Sequence, residues 1–162
     1  MSWHIDTEPA IRQEVHFADR HMRCFSKRPQ SIDQMLREAV ARNGTGDAII
    51  DGDTVVSYGD LDVTVSRIAS HLLALGIAQG DRVALVLSNS AEFIYVLLAT
   101  ARIAAIAVPV NVREQTPEFI YILNHCGAKL LVHDAAVSNR LPPPQDVPNL
   151  VHRYSFGGAT AG

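Results

Sequence analysis

Several familiar functional signatures are missing from this sequence, and each absence closes a class of explanation. Only two cysteines occur, Cys24 and Cys126, far apart and without a CxxC pair. That argues against a disulfide framework and for two free thiols in a reducing compartment. Basic charge is also short. The net charge is −3, the pI is about 6.1, and no Lys/Arg stripe is interleaved with aromatics, so no nucleic-acid partner is expected. The longest apolar stretch, residues 93–108, is preceded by Glu92, contains Arg102 and is stopped by Pro109. A membrane span needs about 18 apolar residues with few charges, so a buried helix followed by a strand is expected there, with no transmembrane segment. The first 28 residues carry Asp6, Glu8, Glu14 and Asp19 and no apolar core, unlike a secretory signal. Together these features place the expected location in the cytoplasm.

Catalytic and metal signatures are equally scarce. The seven histidines, His4, His16, His21, His71, His125, His133 and His152, form neither HxxxH nor HExxH, and no GxSxG occurs. His125 beside Cys126 is a poor chelate, because adjacent helical residues diverge; His125 instead suits the negative end of its helix. Asp47, Asp51 and Asp53 lack the further oxygen ligands of a calcium loop and are better explained by a turn. Gly44-Thr45-Gly46 and Gly157-Gly158-Ala159-Thr160 look superficially like phosphate loops, but neither lies between a strand and a helix with a nearby Lys.

The chain does contain alternating strand and helix patterns. Residues 1–30 are polar and mixed, without a clear period, although Phe17, Met22 and Phe25 could dock onto a core. From Ser31, residues Ile32, Met35, Leu36, Ala39 and Val40 recur at helical spacing, with Ser31 able to cap the start and Asn43-Gly44 the stop. Ala48–Ile50 and Thr54–Val56 flank Asp51-Gly52-Asp53, a hairpin signal. Ser57 with Asp60 three residues on is a variant capping box. It opens a helix whose stripe is Leu61, Val65, Ile68, Leu72 and Leu75 and whose stop is Gly76. Residues 82–87 form a continuous apolar strand, suited to burial on both faces. Ser88-Asn89-Ser90 then caps an almost wholly apolar helix from about Ala91 to Arg102, expected to be deeply packed. Residues 105–108 read as another buried strand. Thr116-Pro117-Glu118 starts a helix, with Thr116 as its cap, that Gly127 ends. Residues 129–132 form a short strand, the prolines 142–144 an extended spacer, and residues 150–152 a last strand. Gly157–Gly162 has no packing residues and reads as a flexible tail.

This alternation predicts an α/β fold: a mainly parallel sheet with helices on both faces, preceded by a β-hairpin. The expected organisation is an N-terminal extension over 1–30, the α/β unit over 31–156 and a tail over 157–162. In such sheets ligands gather beyond the carboxyl ends of strands, where helix N-termini present free N–H groups. Ser88, Asn89 and Ser90 are therefore candidates to face an anion or a carboxylate, although Ser and Asn also favour that corner as plain caps, the preferred reading. Asn111, after Val108-Pro109-Val110, could line the same crevice or simply make a turn.

Between Asp47 and Val132 a series of short pieces occurs in order. They are Asp51-Gly52-Asp53, Ser57-Tyr58-Gly59-Asp60-Leu61, Ser66-Arg67-Ile68-Ala69, Leu75-Gly76-Ile77, Gly80-Asp81-Arg82-Val83-Ala84, and Asn89 with Glu92-Phe93. Then come Ala101-Arg102, Ala107-Val108-Pro109-Val110-Asn111, Thr116-Pro117-Glu118 with Tyr121-Ile122-Leu123, and Gly127–Val132. Each piece is weak alone. Their order and spacing resemble the early part of the adenylate-forming superfamily, which includes acyl- and aryl-CoA synthetases, luciferases and peptide-synthetase adenylation domains. Residues 31–46 also resemble the helix preceding this hairpin in acyl-CoA ligases. One departure stands out: Ala104-Ala105 occupies a turn where the family commonly has Gly-Ala, and an Ala forced to positive φ is strained.

The resemblance implies a partial N-terminal subdomain of the adenylate-forming fold, from an ATP-dependent acyl-CoA synthetase. In the full enzyme a carboxylate and ATP, with Mg, give an acyl-adenylate and pyrophosphate, and CoA then displaces AMP to form a thioester. Fatty-acyl chains are the expected substrates. The family's Ser/Thr/Gly-rich phosphate loop ending in Lys, its Thr-Glu motif, its ribose-binding Asp and its mobile domain with the catalytic Lys would all fall beyond Gly162. No family catalytic, cofactor-binding or metal residue therefore maps onto this chain. The expected partner is the remainder of the enzyme, with self-association through the exposed docking face. The alternative is a stand-alone, non-catalytic α/β binding or interaction module.

Overall fold

The computed structural model describes residues 10–157, so all of the expected tail beyond Gly157 lies outside the described residues. The chain divides into two compact units, residues 1–31 and residues 32–162.

The first unit is a hairpin of β1 (Ile11–His16) and β2 (Arg20–Phe25), paired antiparallel from Ile11–Phe25 to His16–Arg20. The lack of a readable period over these residues has a structural reason. The turn at residues 17–19 holds Phe17 and Ala18 at φ of 51° and 71°, a conformation ordinarily marked by Gly or Asn. Phe17, Met22 and Phe25, which could have docked onto a core, are exposed on this hairpin.

The second unit opens with α1 (Ile32–Asn43) and the hairpin β3 (Asp47–Asp51) and β4 (Thr54–Ser57). Next comes α2 (Tyr58–Ala74). Ser57 caps it: its Oγ accepts from the Asp60 N–H at 3.1 Å and donates to the Asp60 carboxylate at 2.6 Å. At the other end, Gly76 lies at φ 78°. The Ile77 N–H reaches the Leu72 carbonyl and the Gly76 N–H reaches that of Leu73, both at 3.0 Å. This paired closure satisfies the last carbonyls and brings Ile77 onto Leu72 in the core.

Then β5 (Arg82–Val86), α3 (Ala91–Arg102), β6 (Ile106–Pro109), α4 (Thr116–Cys126), β7 (Ala128–Asp134) and β8 (His152–Phe156) complete the unit. Two short 3-10 turns, Ala135–Arg140 and Pro144–Asp146, link β7 to β8. The four strands form one parallel sheet in the order β6-β5-β7-β8. Strand alternation sorts the core into two layers. Val83, Leu85, Leu87, Leu130 and Val132 pack with α1, α2 and α3. Ala84, Val86 and Leu131 face the other way, against Phe119 and Leu123 of α4 and Val137 and Val147 beyond β7. Phe119 is fully buried, worth about 1.5–3 kcal/mol of transfer energy alone. The α/β architecture with a parallel sheet, helices on both faces and a preceding hairpin is as expected.

Three local expectations change. β6 reads as buried in the sequence, but it is one of the sheet's two outer strands, and Ile106 is half-exposed. The last strand runs over 152–156 rather than 150–152; its alternation of His152, Tyr154 and Phe156 with Arg153 and Ser155 belongs to an edge strand rather than to an apolar run. Thr116 is the first residue of α4 rather than its cap. Gln115 takes that place, its N–H donating to Glu118 at 3.2 Å, while the Thr116 hydroxyl donates to the Arg140 carbonyl at 2.8 Å.

Candidate functional site

The chain leaves β5 toward α3 on one face of the sheet. It leaves β6 and β7, the strands flanking β5, toward α4 and the 3-10 turns on the opposite face. The backbone therefore parts on both sides of the carboxyl end of β5, the place where open α/β sheets form crevices. Two open clefts lie there. One, of about 630 Å³, is lined by Leu87, Ser88, Asn89, Phe93 and the segment 109–112. The other, of about 350 Å³, is lined by Ser88, Ser90, Glu92, Asp134, Phe156 and Gly157 among others.

The residues singled out in the sequence meet at this edge, and most are already engaged. The Ser90 Oγ accepts from the Phe93 N–H at 3.3 Å, the ordinary cap of α3. The Ala91 N–H lies 3.4 Å from the Asp51 carboxylate. Ser88 donates both its N–H, at 2.8 Å, and its hydroxyl to Asp134 at the end of β7. Asn111 closes on itself, its Oδ1 accepting from the Arg113 N–H at 3.0 Å, which is a turn role. Asn89 differs: it is exposed, lines the larger cleft, and its side chain makes no hydrogen bond among the described residues.

These contacts decide what the corner can do. A helix start binds an anion with N–H groups that are free. Here two of the corner N–H groups point at carboxylates, Asp51 and Asp134, and Glu92 adds a third negative charge beside the smaller cleft. The local field disfavours phosphate, and capping accounts for Ser88 and Ser90. Asp134 was missed in the sequence. It lies 46 residues from Ser88, and only the β5–β7 pairing brings them together.

Gly44-Thr45-Gly46 is the link between α1 and β3; its carbonyls at Gly44 and Gly46 accept from the N–H groups of Gly59 and Tyr58. Of the second glycine-rich stretch, only Gly157 is among the described residues. Asp47 and Asp51 belong to β3, and Gly52 with Asp53 forms its turn. His125 stacks on Tyr121 in the last turns of α4, and His152 contacts the Leu75 carbonyl at 3.1 Å. No helix among the described residues is long and apolar enough to cross a membrane.

The family described as AMP-binding enzyme matches residues 36–159. Long-chain-fatty-acid–CoA ligase FadD13 of Mycobacterium tuberculosis is 37% identical over 108 residues, covering 65% of this chain and 22% of that protein. Crotonobetaine/carnitine–CoA ligase of Proteus mirabilis is 41% identical over 76 residues, covering 47% of this chain and 15% of that protein. Among solved structures, the inhibitor-bound N-terminal domain of FACL13 from Mycobacterium tuberculosis superposes with a TM-score of 0.73 at 30% identity, over 78% of this chain and 33% of that one. A long-chain-fatty-acid-CoA ligase, FadD1, from Archaeoglobus fulgidus shares the fold with a TM-score of 0.75 at 21% identity, over 82% of this chain and 28% of that one. The chain thus spans about a fifth of the length of the first of these relatives.

Proposed function

Because this chain belongs to the AMP-binding enzyme family, we propose that it forms the N-terminal scaffold of an ATP-dependent acyl-CoA synthetase and is not catalytic by itself. The supporting observation is the state of the carboxyl edge. Two N–H groups at the crevice beyond β5, those of Ser88 and Ala91, are turned onto Asp134 and Asp51, and among the described residues no lysine lines it. In this reading the nucleotide, magnesium, coenzyme A and the reacting carboxylate are gripped by groups on further polypeptide. The chain supplies the walls, and Asn89 presents an unengaged amide to the space between them. A fatty acid is the proposed substrate, favoured by the long-chain ligase at 37% identity. The proposed location is the cytoplasm.

An apolar groove left open by the described residues of the second unit supports the proposal of a missing partner segment. Ile68, Leu72 and Leu75 of α2, Leu130 and Val132 of β7, and Tyr154 and Phe156 of β8 are among the residues that line it. Further polypeptide of the same enzyme is its proposed occupant, since the chain accounts for only a third of the matched N-terminal domain. Without that cover the groove drives self-association. Sedimentation of residues 1–162 should show oligomers that a Phe156→Asp change dissolves; a wild-type monomer at all concentrations contradicts this.

Carboxylate-dependent ATP–pyrophosphate exchange tests the main reading. The product of the whole reading frame should exchange with fatty acids, and residues 1–162 alone should not. Exchange by residues 1–162, or none by the whole product with any carboxylate, contradicts it. A reading frame without a Ser/Thr/Gly-rich loop and Lys after Gly162 would favour a stand-alone binding module.

A further inference from the structure

We propose that Glu14, His16 and Cys24, on the N-terminal hairpin, form a three-ligand site for a borderline-soft divalent metal of the zinc class. Antiparallel pairing sets one strand residue opposite another, and alternate residues share a face. Glu14 and His16 are alternate residues of β1. Cys24 of β2 pairs with Arg12 of β1, and so projects on that same face, as its contact with His16 confirms. The three donor atoms all lie within 4.8 Å of one another.

The detail of the contacts separates a metal site from a catalytic relay. A nucleophile–base–orienter chain uses the two ring nitrogens of a histidine for different partners. Here one nitrogen serves both: His16 Nε2 lies 3.0 Å from Glu14 Oε2 and 3.6 Å from Cys24 Sγ. Carboxylate, imidazole and thiol thus converge on a single point. For a tetrahedral zinc ion with bonds of about 2.0–2.3 Å, ligand atoms stand about 3.3–3.8 Å apart, so adjustments of a few tenths of an ångström suffice for those two pairs. Donor type agrees as well, since thiolate and imidazole select zinc over magnesium or calcium. Three protein ligands leave a fourth position for water or an added ligand.

Arg28 now holds the cationic role. Its guanidinium reaches the Glu14 carboxylate through two nitrogens, at 3.0 and 2.6 Å, and Arg12 adds a third bond at 2.6 Å. A dication must displace Arg28 from the carboxylate, and binding must release the Cys24 thiol proton to solvent. The proposal therefore carries an unusual signature: removing Arg28 should tighten metal binding.

Titration of the full 162-residue chain with Zn²⁺ and Co²⁺ tests this. One equivalent should bind, and the cobalt form should show a thiolate-to-metal charge-transfer band with tetrahedral ligand-field absorption. Cys24→Ser should abolish the charge-transfer band, His16→Ala and Glu14→Gln should each weaken zinc binding at least tenfold, and Cys126→Ser should leave both untouched. Arg28→Ala should bind zinc about tenfold more tightly. Less than one equivalent bound by the wild type, a band that survives Cys24→Ser or disappears in Cys126→Ser, or weaker binding by Arg28→Ala would each overturn the assignment. The wild-type, Cys126→Ser and Arg28→Ala measurements decide it even if a ligand variant fails to fold.

Discussion

The two ends of the parallel sheet are built differently. At the amino end, charged side chains are spent on bracing. The Asp81 carboxylate accepts from the Ala78 N–H at 2.9 Å and pairs with Lys129 of β7 at 2.8 Å. Arg82 donates to the carbonyls of Gly80, Cys126 and Gly127 at 2.6–3.0 Å, tying β5 to the end of α4. Its guanidinium comes so near Gly127 that a Cβ there would lie 2.9 Å from it, and Gly127 holds φ at 62° besides. Arg102, at the end of α3, binds Asp33 of α1 and both Asp62 and Ser66 of α2, each at 2.6 Å, and so joins three helices. At the carboxyl end there are two open clefts, a Ser–Asp link and an unengaged Asn89, with Arg140 donating to the Val112 and Glu114 carbonyls at 2.9 and 2.7 Å. Rigidity concentrated at one end lets the other end present a shaped, lightly bonded edge, the division expected of a scaffold that completes its site with other polypeptide.

That contrast can be broken most severely at Arg102. Its side chain is only 10% exposed, so Arg102→Ala leaves Asp33 and Asp62 without their shared cation. The expected loss is about 3 kcal/mol of unfolding free energy, read from urea denaturation. Acid should reach the same end of the molecule. Burial raises the Asp33 carboxyl, but Arg37 and Arg102 outweigh it and hold it below its ordinary 3.8; Lys129 and the Ala78 N–H lower Asp81 likewise. A lowered folded-state value means stabilisation that is complete above 3.8 and is lost as pH falls through the lowered value. The urea midpoint should therefore hold level from pH 7 to 5 with respect to these two groups and drop below pH 3.8, less steeply once Asp33 is replaced by Asn.

The open end should respond less. Asp134→Ala strips Ser88 of two bonds at a partly solvated site, with an expected cost of about 1 kcal/mol in the same assay. Ala104→Gly works in the opposite direction. Ala104 holds φ at 55°, in the turn that returns α3 to β6, so glycine there should stabilise by about 0.5–1 kcal/mol. Asn89→Ala should change stability by less than about 0.5 kcal/mol, since nothing in the fold rests on its amide.

What was legible in the sequence was whatever local chemistry decides. Ser57 with Asp60, Gly76 after the α2 stripe and Ser90 before α3 were readable because each depends on residues within a few positions, whereas the strain at Ala104 was readable only through the family resemblance. The continuous apolar run 83–87 announced a strand covered on both faces, and it lies at the heart of the sheet. Sheet order was not legible, so β6 read as buried when it is an edge. The β1–β2 turn was hidden because Phe17 and Ala18 take positive φ without a glycine to mark them. Of the candidate site, Ser88, Asn89 and Asn111 were placed at one edge correctly. The engagement of that edge by Asp51 and Asp134 was invisible, since those contacts span 40 and 46 residues.

Calorimetric titration of residues 1–162 with ATP and Mg²⁺ at neutral pH addresses the scaffold reading most directly. Corner N–H groups already turned onto carboxylates should give no measurable nucleotide binding at micromolar to low-millimolar ATP. A saturable, one-to-one heat in the micromolar range, lost on Asn89→Ala, would show that this edge grips the nucleotide unaided.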